Sequence, residues 1–285
     1  MRLPGPGYPA PAKLNLFLHV VGRRDDGYHL LQSVFTLIDL CDEIRLRPRE
    51  DGAINRVSEL PGVPAEDDLA VRAALLLQEA SGTAQGADIE VHKRIPMGAG
   101  LGGGSSDAAT VLLALDRLWG TGFGAEALAE LGSALGADIP FFLHGSTAWV
   151  EGAGERLRPF PVPPRWYVVL TPPVGVPTGA IFAAPELTRD TEPLKMEDFS
   201  ARSSFASREG FRNDLEAVVS GRYPVVREHL DWLRKHADAR MTGSGACVFA
   251  AFDERAAAEA VLGKLPGKMK GFVAQGLERH PLRLQ

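Results

Sequence analysis

The densest chemistry in the sequence lies in Pro96-Met-Gly-Ala-Gly-Leu-Gly-Gly-Gly-Ser-Ser106, where five glycines stand between a strand-like run and a helix-like run. Glycine lets backbone N–H groups approach a ligand with no Cβ in the way, and the start of a helix carries partial positive charge. Together they suit an anion, phosphate above all. The hydroxyls of Ser105 and Ser106 offer further donors or a contact to a metal. A connection that is glycine-rich because it packs tightly is the competing reading. Five glycines within seven residues at a helix start favour phosphate over it.

Other chemistries fit less well. Gly98 to Gly103 satisfies G-x-G-x-x-G, the dinucleotide pattern of nicotinamide and flavin oxidoreductases. That pattern requires a parallel strand after the helix, ending in an acid about 20 residues past the glycines. Here a second helical stretch, Ala125 to Leu135, follows instead. No Gly-Lys-Ser or Gly-Lys-Thr closes the loop in the Walker manner, and no Gly-x-Ser-x-Gly or His-Glu-x-x-His occurs. Cys41 and Cys247 belong to no paired motif, so a protein-held metal is not expected and a reducing compartment is.

The elements that must carry the loop follow from periodicity. Leu14, Leu16, Leu18 and Val20 alternate as in a half-buried strand, and the charged turn Gly22 to Gly27 leads to strands over Leu30–Ile38 and Glu43–Arg47. Helices are expected over Leu69–Ala80, after the acids Asp67 and Asp68, and over Ser106–Trp119, whose apolar residues cover most of its circumference. Asp88–Ile95 and Ser146–Glu151 read as strands. Pro159 to Pro164 holds four prolines in six residues and marks a boundary, giving lobes of residues 1–160 and 161–285. In the second lobe, strands over Tyr167–Thr171, Cys247–Phe252 and Gly271–Ala274 mix with helices over Phe211–Ser220, Pro224–His236 and Glu254–Leu262. This order predicts an α+β fold.

Bulk composition narrows the partners. With 31 Lys and Arg against 36 Asp and Glu, the net charge of −5 lacks the basic excess that nucleic acid demands. No window approaches the ~20 apolar residues of a membrane span, and the proline-rich start has no apolar leader. A cytoplasmic protein is expected, as a monomer or weak homodimer.

Three segments taken together resemble one family. Pro11-Ala-Lys-Leu-Asn-Leu16, the glycine run with Asp107-Ala-Ala109 after it, and Met241-Thr-Gly-Ser-Gly-Ala-Cys-Val-Phe249 are similar, in the same order, to the three motifs of the kinase superfamily named for galactose, homoserine, mevalonate and phosphomevalonate. Within it, Gly22-Arg-Arg-Asp-Asp-Gly-Tyr-His29 and Leu135-Gly-Ala-Asp-Ile-Pro-Phe-Phe142 resemble the branch whose alcohol substrate carries a cytidine diphosphate. The Gly-Glu-His usual in the galactose and mevalonate branches is absent. The resemblance implies transfer of phosphate from ATP, with Mg2+, to the 2-hydroxyl of a cytidine-diphosphate-linked methylerythritol, on the non-mevalonate route to isoprenoid precursors. It also implies an N-terminal lobe like ribosomal protein S5 domain 2, a ferredoxin-like C-terminal lobe, and a site in the cleft between them.

Phosphoryl transfer needs alignment and charge compensation more than covalent chemistry. The resemblance assigns Asp138 as the group that accepts the hydroxyl proton and Lys13 as the cation that orients it. ATP falls to Pro96, Met97, Gly98, Ala99, Gly100, Leu101, Gly102, Gly103, Gly104, Ser105 and Ser106. The acceptor falls to Asn15, Tyr28, His29, Phe182, Gly243 and Ser244, with Tyr28 and Phe182 on opposite faces of the cytosine. Without the family, Asp138 would read as a turn-capping acid and Lys13 as a solvated lysine. At one position the chain departs from the pattern: Asp68 stands where an Asn near the adenine is usual.

Overall fold

The structure, a computed structural model, describes residues 3, 5–197 and 211–283. Its frame is a pair of long antiparallel strands, β1 (Tyr8–Arg23) and β2 (His29–Arg49), turned at the charged Arg24–Tyr28 hairpin. The two runs expected over Leu30–Ile38 and Glu43–Arg47 form one strand. Asp39 and Asp42, which interrupt the apolar pattern, have partners in place: Asp39 accepts from the Gln275 N–H, and Asp42 accepts from the backbone of Arg94 and Ile95. Satisfied acids need not turn the chain to reach water.

β1 is buried on both faces from Ala10 to Val20, not half-buried. The alternation separates an apolar set, Leu14, Leu16, Leu18 and Val20, from one that includes Lys13 and Asn15. Within the sheet β1 has β2 as its strand partner, so every second N–H points outward. Pro9 and Pro11 are tolerated on such an edge. The outward groups of β1 are then used to stitch distant segments: Lys13 N–H donates to the Leu101 carbonyl (3.0 Å), Asn15 N–H to Thr242 Oγ1 (2.9 Å), Leu18 N–H to the Arg212 carbonyl (3.0 Å) and Val20 N–H to Asp214 Oδ2 (2.8 Å).

β2 also carries β4 (Gly86–His92), with β3 (Ile54–Arg56) parallel to its outer side, and β5 (Ala148–Gly152), with β6 (Arg156–Pro159) beyond. Against this sheet pack α1 (Leu69–Ser81), α2 (Gly103–Trp119), α3 (Gly124–Ser133) and α4 (Ile139–His144), around a core including Leu37, Ile44, Leu77, Ile89, Leu112 and Phe141. α2 starts at Gly103, three residues before the expected Ser106, so the end of the glycine run is helical.

After the proline-rich segment come β7 (Trp166–Leu170), α5 (Thr178–Phe182), helices Glu216–Arg222 and Pro224–Arg234, β8 (Ala239–Met241), β9 (Val248–Phe252), helix Arg255–Leu262 and β10 (Gly271–Leu277). These strands pair antiparallel in the order β10-β7-β9-β8 over a second core that includes Val168, Leu230 and Val248. β10 also pairs with β2 at Gly276–Ile38 and Leu277–Leu37. A third apolar cluster, with Leu14, Phe17, Trp149, Tyr167 and Phe249, lies between the two halves of the chain.

Candidate active site

The three motifs meet at the outer edge of β1 because its N–H groups bind two of them directly. The glycine run arrives through Leu101 and the third motif through Thr242. They also press on each other: a Cβ on Gly100 would stand 2.3 Å from the Thr242 carbonyl oxygen, and the Cys247 N–H donates to the Ala99 carbonyl (3.1 Å). Tight packing therefore accounts for some of these glycines and leaves others open to the cavity. Gly102 is crowded by Phe142 and Lys13, whereas at Gly104 the nearest atom to a Cβ is 3.7 Å away.

These segments wall a cavity of about 1120 Å³, lined by Lys13, Asn15, the glycine run from Pro96 to Ser105, Asp138, Tyr28, His29, Phe182, Gly243 and Ser244. Every sequence-expected site residue except Ser106 lines it. Ser106 is a correction: it is fully buried, its hydroxyl donates to the Pro11 carbonyl (2.7 Å) and its N–H to Gly102 (2.9 Å). It ties α2 to β1 and has no donor left for a ligand. The N–H groups of Gly103, Gly104 and Ser105, in the first turn of α2, have no acceptor within the helix.

Lys13 Nζ lies 2.6 Å from Asn15 Oδ1, 3.3 Å from Asp138 Oδ2 and 4.3 Å from the Phe35 ring centroid. Lys13 is buried, while the Asp138 side chain is about a third exposed, toward the cavity. Asp138 precedes α4 but makes no capping bond with its side chain, so the capping role open to it in the sequence is not used. Asn15 is held on both sides, donating from Nδ2 to Ser33 Oγ (3.3 Å) and accepting at Oδ1 from Thr242 Oγ1 (3.4 Å) as well as from Lys13. Lys13 and Asn15 therefore sit on a strand with restricted rotamers, against Leu101 and Gly102 of the glycine run.

At the far end of the cavity Tyr28 projects from the hairpin, 64% exposed, and the rings of His29 and Phe182 lie 5.0 Å apart at 34°. Burial, with the charges of Arg189 and Arg23, holds His29 below the usual imidazole range. Ser244 Oγ shares a hydrogen bond with Thr178 Oγ1 (2.7 Å), joining the third motif to α5.

Sequence reasoning missed three residues here. Arg189 binds His29. Asn213 donates to the carbonyls of Met241 (2.9 Å) and Gly243 (2.8 Å) and so fixes the third motif. Lys93, just ahead of the glycine run, bridges the carboxylates of Asp42 and Asp107 and lines the cavity. Only Lys93 had a local signal, a lysine between a strand and a phosphate-type loop. Burial pushes the thiols of Cys41 and Cys247 up to about 12, so neither is a nucleophile near neutral pH.

Comparison with known proteins identifies the family. The family model described as the GHMP kinases N terminal domain matches residues 68–146, and that described as GHMP kinases C terminal matches residues 196–271. The chain is 60% identical over 275 residues to a 4-diphosphocytidyl-2-C-methyl-D-erythritol kinase of Thiobacillus denitrificans, covering 96% of each. It is 56% identical to one of Halorhodospira halophila, covering 97% of this chain and 95% of that one. A crystal structure of a 4-(cytidine 5'-diphospho)-2C-methyl-D-erythritol kinase superposes with a TM-score of 0.80 at 35% identity, covering 95% of this chain and 99% of the other.

Proposed function

The chain belongs to the GHMP kinase family, and we propose that it transfers the γ-phosphoryl group of ATP to the 2-hydroxyl of 4-diphosphocytidyl-2-C-methyl-D-erythritol, on the non-mevalonate route to isoprenoid precursors. The observation that carries this reading is one cavity with a Lys13–Asp138 pair beside the glycine run and the aromatic group Tyr28, His29 and Phe182 at its other end.

The residues divide the work. The free N–H groups at the start of α2 cradle the phosphates, where no side chain intervenes. Asp138 accepts the proton of the 2-hydroxyl as its oxygen bonds to the γ-phosphorus, and the bond to the β–γ bridging oxygen breaks to leave ADP. Lys13, fixed by Asn15, orients Asp138 and faces the charge that develops on the transferred group. Tyr28 and Phe182 give the cytosine two ring faces, and Gly243 and Ser244 offer backbone and hydroxyl to the acceptor's polar chain.

Mg2+ enters this reading as the nucleotide's companion, neutralising phosphate charge when bound. Among the described residues no group of three or more His, Cys, Asp or Glu converges as a metal site. Its ligands would be mainly phosphate oxygens and water, the usual habit of this ion, and the Ser105 hydroxyl on the same cavity wall would be the protein group offered to it.

The reading extends to lobes of residues 1–160 and 161–285, S5 domain 2-like and ferredoxin-like, with the site in the cleft between them. It also takes the enzyme as cytoplasmic, monomeric or weakly dimeric. Among the described residues no helix is long and apolar enough to cross a membrane. An ADP-release assay on the cytidine-linked substrate, mevalonate, homoserine and galactose tests the function: turnover of the first alone is expected, and its absence sinks the assignment.

A further inference from the structure

His29 opens β2 and Phe182 closes α5, and a single side chain ties the two together. Arg189 donates from Nε to His29 Nε2 (3.0 Å), from one terminal nitrogen to the carbonyls of Phe182 (2.9 Å) and Ala184 (2.6 Å), and from the other to the Leu187 carbonyl (3.0 Å). Its planar fork is thus spent on the carbonyls that end and follow α5.

The chemistry of this contact dictates a proton position. A guanidinium has donors and no acceptor, so His29 Nε2 must be the accepting nitrogen. A neutral imidazole with Nε2 unprotonated carries its proton on Nδ1. His29 lines the cavity, and Nδ1 has no hydrogen-bond partner among the described residues. Arg189 and Arg23 are the charges acting on the ring, and both oppose a second proton.

We propose that Arg189 is a specificity-determining positioning residue: by claiming His29 Nε2 it presents Nδ1–H as a fixed donor to the pyrimidine, selecting a ring acceptor such as cytosine N3 over the N–H that uracil carries there. A site that commits a buried donor rejects a ligand that opposes it with another donor, because both are left unpaired. This rests on the pyrimidine reading of the cavity given above.

Two measurements separate the inference from that reading. A long-range proton–nitrogen correlation spectrum of the full chain, labelled at histidine nitrogens and assigned by the signals lost in His29→Gln, reports the tautomer directly. His29 is expected as Nδ1–H in the wild type, and as a mixture or as Nε2–H in Arg189→Gln; Nε2–H in the wild type overturns the inference with no assay needed. The second measurement is kcat/KM for the cytidine-linked substrate divided by that for its uridine-linked counterpart. In Arg189→Gln this ratio should fall by at least ~10-fold, with kcat on the cytidine compound and KM for ATP within about two-fold of wild type. Equal losses on both substrates would mark Arg189 as merely structural. A wild type that turns over neither compound defeats the pyrimidine reading and the specificity claim with it, while the spectrum still decides whether Arg189 sets the tautomer.

Discussion

Gly100 and Gly243 lie backbone against backbone: a Cβ on Gly243 would come within 2.8 Å of the Gly100 carbonyl oxygen, and both residues have positive φ, 79° and 56°. Two motifs more than a hundred residues apart in sequence therefore need glycine for each other as much as for a ligand.

Glycines of the loop should accordingly separate into two kinds on substitution. Gly100→Ala drives a methyl group into the Thr242 carbonyl and demands a left-handed alanine, so it should cost at least ~1–3 kcal/mol in urea unfolding. Gly104 has room and a helical backbone, so Gly104→Ala should hold or raise stability by up to about 1 kcal/mol. Its methyl group nonetheless intrudes on the cradle, and KM for ATP should rise several-fold. An unchanged KM would remove the start of α2 from nucleotide binding.

That division explains what was legible in the sequence. The glycine run announced a helix start that opens on a cavity because its local chemistry suffices for that. The long α2 and the strand character of β1 followed from periodicity. What periodicity does not encode is pairing at a distance: the fusion of two runs into β2 depends on acceptors for Ile95 and Gln275 N–H groups, and the inward turn of Ser106 depends on Pro11. Short elements such as α4 and β8, six and three residues long, give too few repeats to register. Lys13 and Asp138 became readable only through the motifs around them, since each alone has the ordinary look of a surface charge.

The Lys13–Asp138 pair gives the sharpest kinetic expectation. Asp138→Asn and Lys13→Met should each lower kcat by at least ~100-fold, and the double variant should lose little more, because groups that act as a unit are not additive. Asp138 makes no capping bond and is about a third exposed. Asp138→Asn nonetheless leaves the buried Lys13 ammonium without its carboxylate, so it should destabilise the protein by about 1–3 kcal/mol, and kcat is compared at a temperature where the variant is fully folded. Near-normal turnover in either single variant would take that residue out of the chemistry.

Beneath the loop, Asp107 predicts a pH dependence of stability. Burial, with the charge of Asp42 adding to it and that of Lys93 opposing, pushes its carboxyl up to about 7. One of its oxygens, Oδ1, is buried without a hydrogen-bond partner among the described residues. Between about pH 4, where an unfolded Asp releases its proton, and pH 7, the folded chain holds a proton that the unfolded chain has lost. Stability from this group must therefore fall as pH rises through that window and level off above it. Asp107→Asn removes the slope, so its stability relative to wild type should improve by about 1–2 kcal/mol between pH 5.5 and 8.5. Urea unfolding at both values decides the point, and parallel losses in the two proteins would refute it.

Asp68 poses the opposite question, whether a residue on the cavity wall serves the ligand or the fold. Its Oδ1 accepts from the Ala70 N–H (2.9 Å), capping α1, and its Oδ2 pairs with Arg56 (3.0 Å), whose other terminal nitrogen donates to the Val63 carbonyl (2.8 Å). Both side chains of the pair are less than a tenth exposed. With each oxygen engaged, the carboxylate has little left to offer an adenine, and its work is to close α1 and neutralise Arg56. Asp68→Asn keeps a capping oxygen but strands the guanidinium, so it should destabilise the protein by a few kcal/mol. Asp68→Ala loses the cap as well and should cost about 1 kcal/mol more. KM for ATP should stay within about two-fold in the Asn variant, measured at a temperature where it is fully folded. A large change in KM at unchanged stability would instead assign Asp68 to the nucleotide.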